Sequence, residues 1–165
     1  MNERKVIKYS KEEETLMKTA CGLSLKSVTK GGGPFGCVIT DASFNIIAEG
    51  HNQVILNKDP TAHAEIVTIR QACQVLNTHD LSNYKLFTSC EPCPMCLSAI
   101  YWSRITDVYY SNTRNDAKNI GFDDEYIYNE LKKNINERNI LLKKVDISTA
   151  KESFELWNNY QEKIF

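Results

Sequence analysis

Two short motifs limit what this chain can become more than anything else in it: His63-Ala64-Glu65 and Pro92-Cys93-Pro94-Met95-Cys96. One imidazole and two thiolates can hold a zinc ion. Three protein ligands leave a fourth position for water, as in a catalytic zinc site and unlike a closed four-ligand structural one. Cys93 and Cys96 stand three apart, so at the start of a helix both sulfurs can converge on one ion. The free N–H groups and positive dipole end of that helix favour thiolate over thiol, and Pro94 suits its first position because no N–H is wasted there. Residues two places apart on a helix point roughly 200° away from each other. Glu65 is therefore a neighbour of the bound water and not a second ligand on the approach of His63, a placement that suits a proton shuttle. Cys90 is the nearest further cysteine, and its position at a strand end leaves its direction open.

Each motif alone has a plainer reading. A CxxC pair can be redox-active or incidental, and a lone histidine can be a hydrogen-bonded core residue. Jointly they favour one Zn²⁺ per chain, whereas a thiol redox protein would require a disulfide and little zinc. The chain has 165 residues, six cysteines and nearly balanced charge, 20 Lys+Arg against 21 Asp+Glu. That length fits one domain and buries roughly 70% of the unfolded surface. The balance lacks the broad basic footprint of a phosphate-tracking nucleic-acid binder, so a small-molecule substrate is expected and nucleic acid is not. No apolar run approaches the roughly 20 residues that span a bilayer, and Met1 to Ser10 is charged with no apolar segment behind it. A cytoplasmic protein with no membrane partner is expected, its cysteines serving as thiols or metal ligands.

Ser10 followed by three glutamates predicts a helix start, and Leu16, Ala20, Leu23 and Leu25 predict a helix over Lys11 to Val28. The run Lys30-Gly31-Gly32-Gly33-Pro34 ends it. Phe35 to Thr40 and Asn45 to Glu49 read as a hairpin, Ala62 to Leu76 as a helix, and Tyr84 to Ser89 as a strand. Pro94 to Trp102 reads as a short helix and Asp107 to Tyr110 as the next strand. A further strand is expected at Ile140 to Val145, then a final amphipathic helix carrying Phe154, Trp157 and Tyr160. A hairpin followed by alternating helix and strand predicts a three-layer α/β/α sandwich around a central mixed sheet of about five strands.

H-x-E paired with P-C-x-x-C is the pattern of zinc deaminases acting on nucleobases. Zinc lowers the pKa of bound water from 15.7 toward about 7 and so supplies hydroxide at neutral pH. Glu65 can take the proton from that water, give it to a ring nitrogen and help the amine leave as ammonia. At these residues the chain resembles the cytidine deaminase-like superfamily. The longer match Asp59-Pro60-Thr61-Ala62-His63-Ala64-Glu65 with Thr88-Ser89-Cys90-Glu91-Pro92-Cys93-Pro94-Met95-Cys96 is similar to the bacterial-type guanine deaminases. Gly32-Gly33-Pro34-Phe35-Gly36, Ala99-Ile100-Tyr101-Trp102 and Ile120-Gly121-Phe122-Asp123-Asp124 extend the resemblance from about Gly31 to Tyr128.

The resemblance implies hydrolysis of guanine to xanthine and ammonia, a cytidine deaminase-like fold, and a homodimer that exchanges C-terminal segments. It implies His63, Cys93 and Cys96 as metal ligands, Glu65 as the catalytic proton shuttle, and Asn52 as a hydrogen-bonding partner of the purine base. Phe35 and Trp102 become pocket walls, Ala64 a further substrate contact, and Asp124 the selective element, a carboxylate suited to guanine's N–H donors. One departure stands out. Members of that family end in a tyrosine that reaches the partner's site, whereas this chain ends Gln161-Glu162-Lys163-Ile164-Phe165, leaving Phe165 or Tyr160 to replace it.

The supporting residues also have structural readings: Asp123-Asp124-Glu125 as a helix cap with solvated charges, Asn52 as a turn residue, and Phe35, Trp102 and Phe122 as core aromatics. The competing functions are a guanosine-type nucleoside deaminase, a tRNA adenosine deaminase and an inactive zinc-stabilised scaffold. An intact Glu65 argues against the last of these.

Overall fold

The computed structural model describes residues 8–159. Helix α1 (Lys11–Thr29) starts at a reciprocal cap, in which the Ser10 hydroxyl accepts from the Glu13 N–H at 3.1 Å and the Ser10 N–H donates to the Glu13 carboxylate at 2.7 Å. The hairpin strands are β1 (Gly36–Thr40) and β2 (Ile46–His51), followed by the single-turn helix α2 (Val54–Asn57) and α3 (Ala64–Leu76). Strand β3 (Lys85–Cys90), helix α4 (Pro94–Trp102) and strand β4 (Asp107–Asn112) form a parallel crossover unit. Helix α5 (Arg114–Asn119) comes next.

Strand order is β2-β1-β3-β4, with β1 antiparallel to both of its neighbours. The two-residue period of β1 sends successive side chains to opposite faces of this mixed sheet. Val38 joins Leu16, Ala20 and Phe87 beneath α1, whereas Cys37 and Ile39 join Ala64, Ile69, Ala72 and Leu86 beneath α3. Helices on both faces make the expected α/β/α sandwich. The sheet among the described residues has four strands where about five were expected from the alternating pattern. The difference lies at Ile140 to Val145, which forms no strand; Leu141 and Val145 are each 75% exposed. An apolar run resembles a strand in composition, but a strand exists only where a neighbouring edge supplies its ladder of hydrogen bonds.

The described residues divide into two compact units between Tyr128 and Asn129. The sheet and α1 to α5 belong to the first, and α6 (Glu125–Lys132) begins in it. The second contains 3-10 turns at Ile135–Glu137 and Ser148–Lys151 and the helix α7 (Glu152–Asn158). Phe154 and Trp157 lie on α7 as expected; Tyr160 and Phe165 lie outside the described residues. Among the described residues no helix is long and apolar enough to cross a membrane.

Close approach of α1 to the sheet depends on Gly36. A Cβ there would strike the Ala20 carbonyl oxygen and lie 2.5 Å from the Ser24 nitrogen and 2.8 Å from Leu23 Cβ. Both backbone obstacles belong to a helix and cannot rotate away. Gly36→Ala is expected to cost about 2 kcal/mol by overpacking, which for a chain of this size lowers Tm by about 4–8 °C in a thermal melt. An unchanged Tm would show that α1 is free to move off the sheet.

Candidate active site

Strands β2, β3 and β4 finish at the same end of the sheet at which β1 begins, as the pairs Gly36 with His51 and Cys90 with Asn112 show. The starts of α3 and α4 also come to this end. His63 is the N-cap of α3 and Cys93 the N-cap of α4, with Pro94 at the first helical position. His63 Nδ1 lies 3.6 Å from Cys93 Sγ and 3.5 Å from Cys96 Sγ. Zinc ligated tetrahedrally at 2.3 Å to sulfur and 2.0–2.1 Å to nitrogen gives an N···S edge of about 3.6 Å. The three donors therefore already have the spacing that one zinc ion needs, and they form a potential metal-holding group.

The electrostatics of the donors agree. The neighbouring Cys96 and His63 side chains push the Cys93 thiol well below its ordinary range, which favours the thiolate that a metal needs. Cys96 is pushed up by Cys93, by burial and by the Glu65 carboxylate. Its proton is the one a metal would displace. Cys90 does not join them. Its thiol donates to the Thr113 carbonyl oxygen at 3.7 Å, and burial pushes it up to about 11, which keeps it protonated.

Glu65, one residue into α3, is buried at 5% exposure. The Thr88 hydroxyl donates to Oε1 at 3.2 Å and the Cys96 thiol to Oε2 at 3.4 Å. Burial raises its carboxyl above the ordinary range. A carboxyl displaced toward neutrality is better matched to both taking and giving a proton.

A cavity of about 400 Å³ opens over these groups, within the size range of small-molecule sites. Its lining includes His63, Glu65, Cys93, Phe35, Asn52 and Asp124, all of them singled out by the sequence. Asn52 Oδ1 accepts from the N–H groups of Gly33 at 3.4 Å and Val54 at 3.2 Å, which leaves the amide NH₂ as its donor end. Phe35 and Phe122 meet edge to face with centroids 4.9 Å apart. Ala64 is fully buried in the core beneath α3 and is not among the lining residues. Trp102 is also outside the lining. It ends α4, nine residues from that helix's metal-facing start, and is 72% exposed. A helix rises 1.5 Å per residue, so the length of α4 alone carries Trp102 about 13.5 Å from Cys93.

The comparisons with known proteins agree with this arrangement. The model for the cytidine and deoxycytidylate deaminase zinc-binding region matches residues 10–112. The chain belongs to this deaminase family. Guanine deaminase of Bacillus subtilis is 47% identical over 151 residues, spanning 91% of this chain and 96% of that protein. Its X-ray structure superposes with a TM-score of 0.87 at 45% identity, covering 92% and 98% of the two chains. A tRNA-specific adenosine deaminase of Haemophilus influenzae is 37% identical over 73% of this chain and 72% of its own. A solved chain in complex with 8-azaguanine matches with a TM-score of 0.66 at 34% identity, covering 68% of this chain and 64% of that one. Membership in a zinc-binding deaminase family makes zinc the cofactor, and His63, Cys93 and Cys96 are the group able to hold it.

Two contacts at the site carried no signal in the sequence of this deaminase. Thr88 reaches Glu65 only because β3 lies beside the start of α3, and Arg114 reaches Asp124 across the turn that follows α5. Neither contact has a local pattern by which it could have been found.

Proposed function

We propose that the chain is a zinc-dependent guanine deaminase that hydrolyses guanine to xanthine and ammonia. One observation carries this reading: Asp124 lines the same cavity as Glu65 and two of the potential ligands, His63 and Cys93. A carboxylate there accepts hydrogen bonds from a base presenting ring N–H and amine donors, as guanine does, and repels the acceptor edge of adenine. The match to a guanine deaminase over nearly the whole of both chains supports the same substrate.

When bound, zinc supplies hydroxide at neutral pH by lowering the pKa of water. The protein's own groups do the rest. Asn52 and Asp124 hold the base, and Phe35 with Phe122 supplies an apolar wall that excludes water from one side. Glu65, fixed by Thr88, takes one proton of the attacking water and delivers it to a ring nitrogen, then carries that water's second proton to the amine, which leaves as ammonia. The reading includes one zinc per chain, a homodimer with exchanged C-terminal segments, a purine base and water as the small-molecule partners, and a cytoplasmic location.

The experiment is ammonia release from guanine, guanosine, cytosine, adenosine and a tRNA anticodon hairpin, using wild type and Asp124→Ala. Release from guanine alone is expected. The variant should lose about 10- to 100-fold of it, the worth of a hydrogen bond to a charged group, while keeping its zinc. Release from guanosine instead would change the substrate, and full activity in the variant would remove Asp124 from recognition.

A further inference from the structure

Of the acidic run Asp123-Asp124-Glu125, two members have an obvious solvent-side partner: Lys118 lies 3.2 Å from Asp123 and 2.5 Å from Glu125. Asp124 differs. Its Oδ1 faces Arg114 Nε at 3.4 Å, and both residues line the cavity. Arg114 is held from three directions. Its backbone N–H donates to the Glu91 carboxylate at 3.2 Å, and its guanidinium carbon sits 3.8 Å over the Tyr128 ring. The Tyr128 hydroxyl in turn donates at 3.2 Å to the Pro92 carbonyl oxygen, next to Cys93. The guanidinium thus bridges the start of α5, the turn bearing Asp124, and a ring anchored to the loop that carries a potential metal ligand.

We propose that Arg114 is a positioning residue that strengthens base binding by fastening Asp124 through one carboxylate oxygen so that the other is presented to the N–H edge of the substrate. The inference rests on the guanine reading above and deepens it. A carboxylate at the head of a turn has free side-chain rotation, and each unproductive rotamer dilutes the geometry that recognises the base. Arg114 removes that freedom while occupying only Oδ1. Its charge also counteracts the burial that raises the Asp124 carboxyl, favouring the acceptor-only ionised form that can take two N–H groups. The backbone of the turn is fixed separately, by Phe122 N–H to the Ala117 carbonyl and Gly121 N–H to the Lys118 carbonyl, each at 3.0 Å. Loss of the guanidinium should therefore loosen the side chain without dissolving the turn.

The test measures 8-azaguanine binding by calorimetry and guanine turnover on zinc-loaded wild type, Arg114→Ala, Arg114→Lys, Asp124→Ala and the Arg114→Ala/Asp124→Ala double variant. Arg114→Ala is expected to raise the Kd for 8-azaguanine and the KM for guanine about tenfold, with kcat within about twofold, because the contact is made equally in ground and transition states. Arg114→Lys should recover part of the loss. In the Asp124→Ala background the Arg114 change should have no further effect, since its whole action passes through that carboxylate. Wild-type affinity in Arg114→Ala overturns the proposal, as does a full additional loss in the double variant. Should Arg114→Ala fail to fold, Arg114→Gln, which keeps length and a donor but no charge, carries the same comparison. Wild-type protein that neither binds 8-azaguanine nor deaminates guanine overturns the parent reading instead.

Discussion

Glu65→Gln is expected to lower ammonia release from guanine by about 10²–10⁴-fold, the range contributed by a positioned proton-transfer group. The substitution keeps the shape of the side chain. Glutamine's Oε1 still accepts from the Thr88 hydroxyl, and its NH₂ still faces Cys96, so neither the buried start of α3 nor the donor spacing has reason to change. What disappears is the ability to gain and release a proton beside the metal group. Zinc content should stay near one per chain and Tm near that of wild type, separating lost chemistry from lost structure. A variant retaining a tenth or more of wild-type turnover would mean that another group carries the proton, and Asp124 would be the next to examine. The fold adds a reason to expect a large effect. Among the cavity-lining residues, Glu65 is the carboxyl buried against two potential metal ligands, His63 two residues before it and Cys96 in contact with it.

The parts of this site that are legible in the sequence are those whose geometry is local. His63 and Cys93 are helix N-caps, and Pro94 announces the start of α4 directly. Ser10 and Glu13 mark α1 in the same way, through a three-residue spacing that needs nothing from elsewhere in the chain. What the sequence does not reveal depends on which elements meet. Trp102 has the composition of a pocket wall, but its side of the cavity is decided by the direction and length of α4, which carry it to the far end of that helix. Ile140 to Val145 has strand composition, yet strand formation depends on a partner edge that composition cannot specify. Arg114 is one of 20 Lys and Arg residues and becomes distinctive only when the turn after α5 brings Asp124 to it. Cys90 shows both sides. Its strand-end position leaves two directions open, and the Thr113 carbonyl takes its thiol away from the metal group.

Removing the metal is expected to abolish turnover without unfolding the chain. In the absence of a cation the donor cluster is internally partnered: His63 Nδ1 lies within 3.6 Å of both sulfurs, and the Cys96 thiol donates to Glu65 Oε2 at 3.4 Å. Among the described residues neither His63 nor Glu65 has a buried nitrogen or oxygen atom without a hydrogen-bond partner, so the heavy penalty for an unpartnered buried polar group does not arise there. The loss in stability is then that of a tight ligand alone, about 4 kcal/mol for a metal held at a thousand times its Kd, or about 8–16 °C in Tm for a chain of this length. Chelator-treated protein should keep its far-ultraviolet dichroism, release no ammonia from guanine, and recover both activity and Tm when one equivalent of zinc is returned. Cys96→Ser should resemble the chelated form and resist rescue, because a hydroxyl in a fully buried position offers a far poorer ligand than a thiolate. A redox pair predicts the opposite pattern, with activity indifferent to chelation and lost on alkylation of Cys93. The convergence of His63 Nδ1 on both sulfurs favours the metal, since a dithiol pair has no use for an imidazole equidistant from its two atoms. Metal-free protein that still deaminates guanine would overturn the zinc mechanism and leave Glu65 and Asp124 to be explained as a metal-independent acid and base pair.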